Sequence, residues 1–184
     1  MEPSDCHEAL CASNRYFATL RDDHPDKLLF FATTVPGGGD PFLHETERAV
    51  TEDDAKGVVI SSSHRGAYPD DAEAVAFFGL AQSLDVPVIV HPPAVGFGEE
   101  RMDNYSLASS IGRPFDNCLA IGRLIVMGIL EEFPDLKLVA THLGGGISEI
   151  IGRMNYAYEM RDDDTVLGRY APCTSPNRSA NILK

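Results

Sequence analysis

Basic residues are scarce in this chain: 15 Lys and Arg stand against 28 Asp and Glu, a formal net charge of -13. Phosphate backbones are gripped by clustered Lys and Arg, so nucleic acid is not an expected partner. The charge reads instead as a solvated acidic surface. Long apolar runs are missing as well. None approaches the roughly 20 residues that a helix needs to cross a bilayer. The acidic start, Met1-Glu2-Pro3-Ser4-Asp5, lacks the charged-then-apolar pattern of a secretory signal. No membrane partner is expected. The four cysteines, Cys6, Cys11, Cys118 and Cys173, form no Cys-x-x-Cys pair. That spacing suits neither a zinc knuckle nor a disulfide scaffold, and a reduced, cytoplasmic setting is the expectation. Cys118 lies in an apolar helical pattern and should pack as a small hydrophobe. No Lys-Ser/Thr follows Gly37-Gly38-Gly39, so this stretch reads as a flexible loop and not as a phosphate cradle. There is no internal repeat and no low-complexity block.

With 43% hydrophobic residues, 184 residues are enough for one domain with a sizeable core. Four short apolar runs stand out: Leu28–Thr34, Gly57–Ser61, Val86–His91 and Leu136–His142. They are rich in β-branched or aromatic residues and read as buried parallel strands, apolar on both faces. Helical periodicity lies between and around them, over Glu8–Arg21, Leu43–Thr51, Asp70–Leu84, Pro114–Phe133 and Ile147–Met160. Pro114 suits a first helical position, and Phe133-Pro134 marks a stop. Alternation of strand and helix predicts right-handed βαβ crossovers and a parallel sheet, an α/β fold. The polar, proline-bearing stretch after Met160 reads as a long loop.

In such folds reactive side chains gather where strands end. Of six histidines, His7, His24 and His44 sit in polar helical or loop contexts and read as ordinary surface residues. His64 follows the second strand in Ser61-Ser62-Ser63-His64-Arg65-Gly66, a mouth position suited to substrate contact. His91 and His142 each end an apolar strand. A histidine there reads either as a hydrogen-bonded core residue or as a functional one, since a buried imidazole needs a partner and a neutral one can bind metal or move a proton. Two of them at neighbouring strand ends favour a shared site. The glycines after His142 permit either close approach to a ligand or a direct turn into the next helix.

The order of motifs is specific. Val88-Ile89-Val90-His91-Pro92 is followed by the helix Gly122–Glu132, by Phe133-Pro134-Asp135-Leu136-Lys137-Leu138, by His142-Leu143-Gly144-Gly145-Gly146 and by Gly152-Arg153. Over about residues 10–160 this resembles the amidohydrolase-related family that includes aminocarboxymuconate-semialdehyde decarboxylase and hydroxybenzoate decarboxylases. The stretch His24-Pro25-Asp26-Lys27 with Val35-Pro36 is similar to the approach to that family's third strand.

The resemblance implies a partial (β/α)8 TIM barrel holding the third to sixth of eight strands, with residues 1–184 a single domain truncated at both ends. It implies that His91 is a ligand to a divalent metal, most simply zinc, and that His142 is the catalytic acid/base. It further implies that Arg153 binds a substrate carboxylate across a homodimer interface, although an arginine near a helix end also has an ordinary structural reading. The substrate would be a small carboxylate, and the reaction decarboxylation of an unsaturated or aromatic acid or hydrolysis of a related bond. The family's His-x-His and its late metal-binding Asp find no match here, and catalytic zinc normally takes three protein ligands. The alternative is therefore a degenerate, non-catalytic α/β binding or scaffold domain. A flavodoxin-like domain is disfavoured, since no strand end carries an acidic cluster. Two open sheet edges would be expected to promote association.

Overall fold

A parallel sheet of four strands organises the molecule. The structure is a computed structural model that describes residues 3–94, 96, 98–102 and 104–159. Helix α1 (Pro3–Asp23) precedes β1 (Ala32–Thr33), followed by α2 (Asp40–Thr51), β2 (Val58–Ser61), α3 (Val75–Ser83) and β3 (Val88–His91). Then come α4 (Arg113–Met127), a single turn α5 (Ile129–Glu132), β4 (Leu138–Ala140) and α6 (Ile147–Glu159). The strands pair in chain order, β1-β2-β3-β4, all parallel. A doubly wound sheet reverses its strand order at a switch point, whereas this progression keeps one sense, as an arc of a (β/α) barrel does. Among the described residues no helix is long and apolar enough to cross a membrane.

The pleat sorts the strand residues onto two faces. Ala32, Val58 and Val88 stand in one row, Ile60 and Val90 in a second row on the same face, and all five are fully buried. They pack with Phe77, Phe78 and Ala81 of α3 and with Ala120 and Leu124 of α4; Ala18 of α1 and Ala49 of α2 close over β1. Burial of each large side chain contributes about 1.5–3 kcal/mol. The strands were expected to be buried on both faces, and the other face corrects this. Val59 and Ile89 are only half-buried, and Val139 and Leu29 are 46% and 69% exposed. Among the described residues the arc of four strands has helices packed behind it and none over its inward side, which leaves that side open.

Other boundaries shift for identifiable reasons. The run Leu28–Thr34 contributes only two residues to the ladder. Beyond it, Asn14 of α1 takes the place of a further strand: Thr33 N–H donates to Asn14 Oδ1 (2.9 Å), and Asn14 Nδ2 donates to the Thr33 carbonyl (3.3 Å). One of the two expected open edges is thus partly covered. The helix expected over Pro114–Phe133 is broken at Gly128, whose left-handed φ of 82° ends α4, and it is preceded by a π-helical turn at Ala108–Gly112. The segment from Asp70 opens with a 3-10 turn at Ala72–Ala74. Pro36–Gly38 likewise forms a 3-10 turn where a flexible loop was expected. The long loop expected after Met160 lies outside the described residues, as does Cys173.

Between β4 and α6, residues His142 to Gly146 all have left-handed backbone, with φ from 52° to 88°. His142 and Leu143 have side chains, so each costs about 1–2 kcal/mol in that region. The turn is tight against α4. A Cβ on Gly145 would stand 1.7 Å from the Pro114 carbonyl oxygen. The glycines therefore serve close approach to a neighbouring helix.

A polar cluster seats α1 and α2 against β1. Arg48 donates from Nε to Glu45 Oε2 (2.8 Å) and from Nη2 to Oε1 (2.9 Å), and from Nη1 to Asp53 (2.8 Å). Asn14 Nδ2 also donates to Glu45 Oε1 (3.0 Å). Burial alone would raise the Glu45 carboxyl, but the hydrogen bonds from Arg48 and Asn14 outweigh it and hold the group below its ordinary value.

Two outcomes follow. Gly145→Ala should destabilise the chain by about 2–4 kcal/mol, read from urea unfolding, because a methyl group cannot share space with the α4 backbone. Glu45 is more acidic folded than unfolded, so its contribution is present above about pH 4.3 and is lost as pH falls through the lowered folded value. Glu45→Gln should flatten that part of the acid limb when unfolding midpoints are compared across about pH 3–7. An unchanged limb would remove Glu45 from the account.

Candidate functional site

His91 closes β3 and pairs in register with Ser61 at the end of β2. Alternation puts its side chain on the same face as Ile89, the open face, and away from Val88 and Val90 in the core. On the other side of β3, Thr141 follows β4 and donates its N–H to the Val90 carbonyl (3.2 Å). His142 is the next residue. The strand has ended there, and the left-handed backbone turns its side chain toward β3. The two imidazoles meet with ring centroids 5.4 Å apart and planes inclined at 56°. Both side chains are exposed at this mouth. The convergence expected from two neighbouring strand ends is what the structure shows.

The tautomer of His91 follows from its partner. Its Nδ1 lies 2.9 Å from the Pro92 carbonyl oxygen, which can only accept, so Nδ1 is the donor there and, of the two neutral tautomers, the one with its lone pair on Nε2 is selected. A ring oriented in this way is suited to metal ligation through Nε2. The Pro92 carbonyl was not anticipated from sequence; the His-Pro pair that places it there is its only sequence signal. As a complete metal centre the donor set falls short. Among the described residues no group of three or more His, Cys, Asp or Glu could hold a metal ion. His91 fits as one ligand of a larger set, with His142 beside it.

The other two candidates lie on different elements, His64 on the loop after β2 and Arg153 on α6. His64 begins a tight hairpin, with its N–H on the Ala67 carbonyl (2.8 Å) and the Ala67 N–H returned to its own carbonyl (3.0 Å). Arg65 and Gly66 take φ of 52° and 81°, which a two-residue hairpin turn requires. The His64 side chain is exposed on this loop after β2. Arg153 lies on α6, about two turns in at 3.6 residues per turn. It is exposed and, among the described residues, makes no ion pair.

Two residues that periodicity counts simply as helix, Asp116 and Asn117, are fully buried in the first turn of α4. Their only sequence signal is the break they make in an apolar stripe. A cavity of about 810 Å³ lies between α4 and α6, lined by Phe115, Leu119, Arg123, Ile150 and Met154 among others, and neither His91 nor His142 lines it. Its walls are mostly apolar, and Cys118, whose thiol burial pushes up, is among them. The chemistry-bearing groups are at the strand ends.

Known proteins share this arrangement of elements. The family model described as amidohydrolase matches residues 3–163. A 2-amino-3-carboxymuconate-6-semialdehyde decarboxylase of Dictyostelium discoideum is 26% identical over 162 residues, which are 88% of this chain and 45% of that protein. The crystal structure of 5-carboxyvanillate decarboxylase from Sphingomonas paucimobilis matches with a TM-score of 0.72 at 25% identity, covering 84% of this chain and 46% of that one. A dihydroxybenzoic acid decarboxylase from Polaromonas sp. JS666, solved with bound manganese and 2-nitroresorcinol, matches with a TM-score of 0.72 at 21% identity, over 93% of this chain and 53% of that one. This last is a likeness of fold. The chain spans about half the length of the curated relatives it matches. With the model matched over residues 3–163, the chain belongs to the amidohydrolase family.

Proposed function

We propose that this chain supplies part of the active site of a metal-dependent carboxy-lyase that decarboxylates an unsaturated or aromatic carboxylate without oxidation. The observation that carries the reading is the pair of converging imidazoles at 5.4 Å, one of them oriented by its Nδ1 contact to the Pro92 carbonyl. The names of the relatives, decarboxylases of muconate-type and aromatic acids, support this substrate class.

In this reading His91 Nε2 is one ligand of a divalent cation, and the remaining ligands come from outside the described residues. When bound, the cation polarises the substrate and lowers the pKa of water. Imidazole donors suit zinc and carboxylate donors suit manganese; the manganese of the Polaromonas enzyme makes it the first ion to try beside zinc. His142 moves the proton. As the bond to the carboxyl carbon breaks, carbon dioxide leaves, the electron pair stays on the substrate carbon, and that carbon takes a proton from the protonated His142 ring. Arg153 presents a guanidinium fork suited to a carboxylate. Its position on the exposed side of α6 favours service to the site of a second copy, as in a dimer. His64, exposed on the loop after β2, would contact substrate from that side.

A second reading, a non-catalytic binding or scaffold domain, is favoured by one observation, the lack of a three-ligand cluster among the described residues. The two readings separate experimentally. The 184-residue chain alone should retain well under one metal per chain after dialysis and show little turnover, because affinity comes from several preorganised ligands. In a protein carrying this chain with a full ligand set, His91→Ala should lower metal content. His142→Ala should keep the metal and lower kcat about 10²–10⁴-fold. Arg153→Ala should raise KM for the carboxylate with the metal retained. Undiminished turnover in the His142 variant would sink the carboxy-lyase reading.

A further inference from the structure

The carboxylate of Asp116 and the amide of Asn117 are both fully buried at the start of α4. Groups of this kind are costly to hide unless they are hydrogen-bonded, so their partners indicate what they do. Asp116 accepts from the hydroxyls of Ser62, of Ser63 (3.0 Å) and of Tyr68 (2.7 Å). Ser62 in turn donates its backbone N–H to the carbonyl of His91 (2.9 Å). One chain of contacts therefore runs from Asp116 through Ser62 to His91. Asn117 Nδ2 donates to both oxygens of Thr141, the carbonyl at 2.9 Å and Oγ1 at 2.8 Å. Thr141 Oγ1 passes the connection on to the Val90 carbonyl (2.8 Å), and Thr141 is bonded directly to His142. A second chain runs from Asn117 through Thr141 to His142.

Consecutive residues of a helix point about 100° apart. Neighbours on α4 can therefore reach the two strand ends that flank β3, one on each side. The orientation of Asn117 is determined, because the Thr141 carbonyl accepts only and Nδ2 must face it. That leaves Asn117 Oδ1 buried with no hydrogen-bond partner. A side chain serving packing alone would do better as an apolar residue of the same size. The retained amide answers to Thr141, next to a histidine and a leucine held in left-handed backbone, a conformation that persists only where its surroundings over-determine it.

We propose that Asp116 and Asn117 are positioning residues that clamp the ends of β2 and β4 to β3 and thereby set the approach of His142 to His91. The proposal rests on the reading of these two histidines as the reacting pair, and concerns their geometry alone. The described links run through Ser62 and Thr141.

The test uses the metal-free 184-residue chain and nuclear magnetic resonance. At 5.4 Å between centroids, the ring protons of His91 and His142 should cross-relax. Asn117→Ala should abolish that signal while the contact between the Phe77 and Phe78 rings, in the core behind the sheet, persists. Thr141→Val should weaken it, and Thr141→Ser, which keeps the hydroxyl, should restore it. The double variant Asn117→Ala/Thr141→Val should be no worse than Asn117→Ala alone. Should Asn117→Ala fail to fold, the Val and Ser variants of the half-buried Thr141 carry the test. Imidazole cross-relaxation undiminished in a folded Asn117→Ala chain, absent from the wild-type chain, or equally weak in the Val and Ser variants would overturn the clamp. No metal or substrate enters this measurement, so a failure of metal binding or turnover would count against the carboxy-lyase reading and leave the clamp intact.

Discussion

Parallel pairing of β3 with both of its neighbours is the constraint on which the candidate site depends. Val88 pairs with Val58 on one side and with Leu138 on the other. With the register set there, the last residues of three strands arrive at the same edge of the sheet. Because the pleat has a period of two, a slip of one residue would send His91 into the helix-packed core and expose Val90 in its place. The core itself holds the register. Val58, Ile60, Val88 and Val90 have no exposed surface, and their burial against Phe77, Phe78 and Leu124 is lost if the face is turned over.

Helix α4 ties this edge together from behind. Its first turn carries the buried Asp116 and Asn117, and its Pro114 carbonyl lies where any side chain at position 145 would have to be. The left-handed turn from His142 to Gly146 is thus pressed between the end of β4 and the start of α4. The same turn that aims His142 at His91 stores backbone strain, and packing on both sides keeps it in place. The buried groups behind the strand ends contrast with the inward face, where Val139 and Leu29 remain open. The described residues build the outer layer and the rim of an arc.

The polar cluster of Asn14, Glu45 and Arg48 plays a parallel part at the other end of the sheet. There the problem is an edge strand with unpaired backbone groups. The Asn14 side-chain amide meets both groups of Thr33, and Glu45 and Arg48 hold Asn14 in turn. Both ends of the arc therefore use a buried amide, Asn14 or Asn117, to satisfy backbone that a sheet neighbour would otherwise take.

Local pattern in the sequence was sufficient to determine the four strands, the alternation with helices, the parallel α/β class and the two histidines that end β3 and the β4 run. Each of these rests on residues close together in the chain: β-branched runs, helical periodicity, and a polar residue placed where an apolar run stops. Gly128 was legible only as one more residue in a helical stripe, because period alone does not reveal a left-handed φ. Whether the glycines after His142 faced a ligand or a helix was undecidable without the position of Pro114. Tertiary structure alone decided that Asp116 reaches Ser62, 54 positions away, and that Asn117 reaches Thr141, 24 positions away. It also decided that one sheet face stays open and that Pro92 sets the His91 tautomer. These are matters of distance and direction between elements. Hydrogen bonds across such separations leave no periodic trace in the residues that form them, and only packing brings their partners within reach.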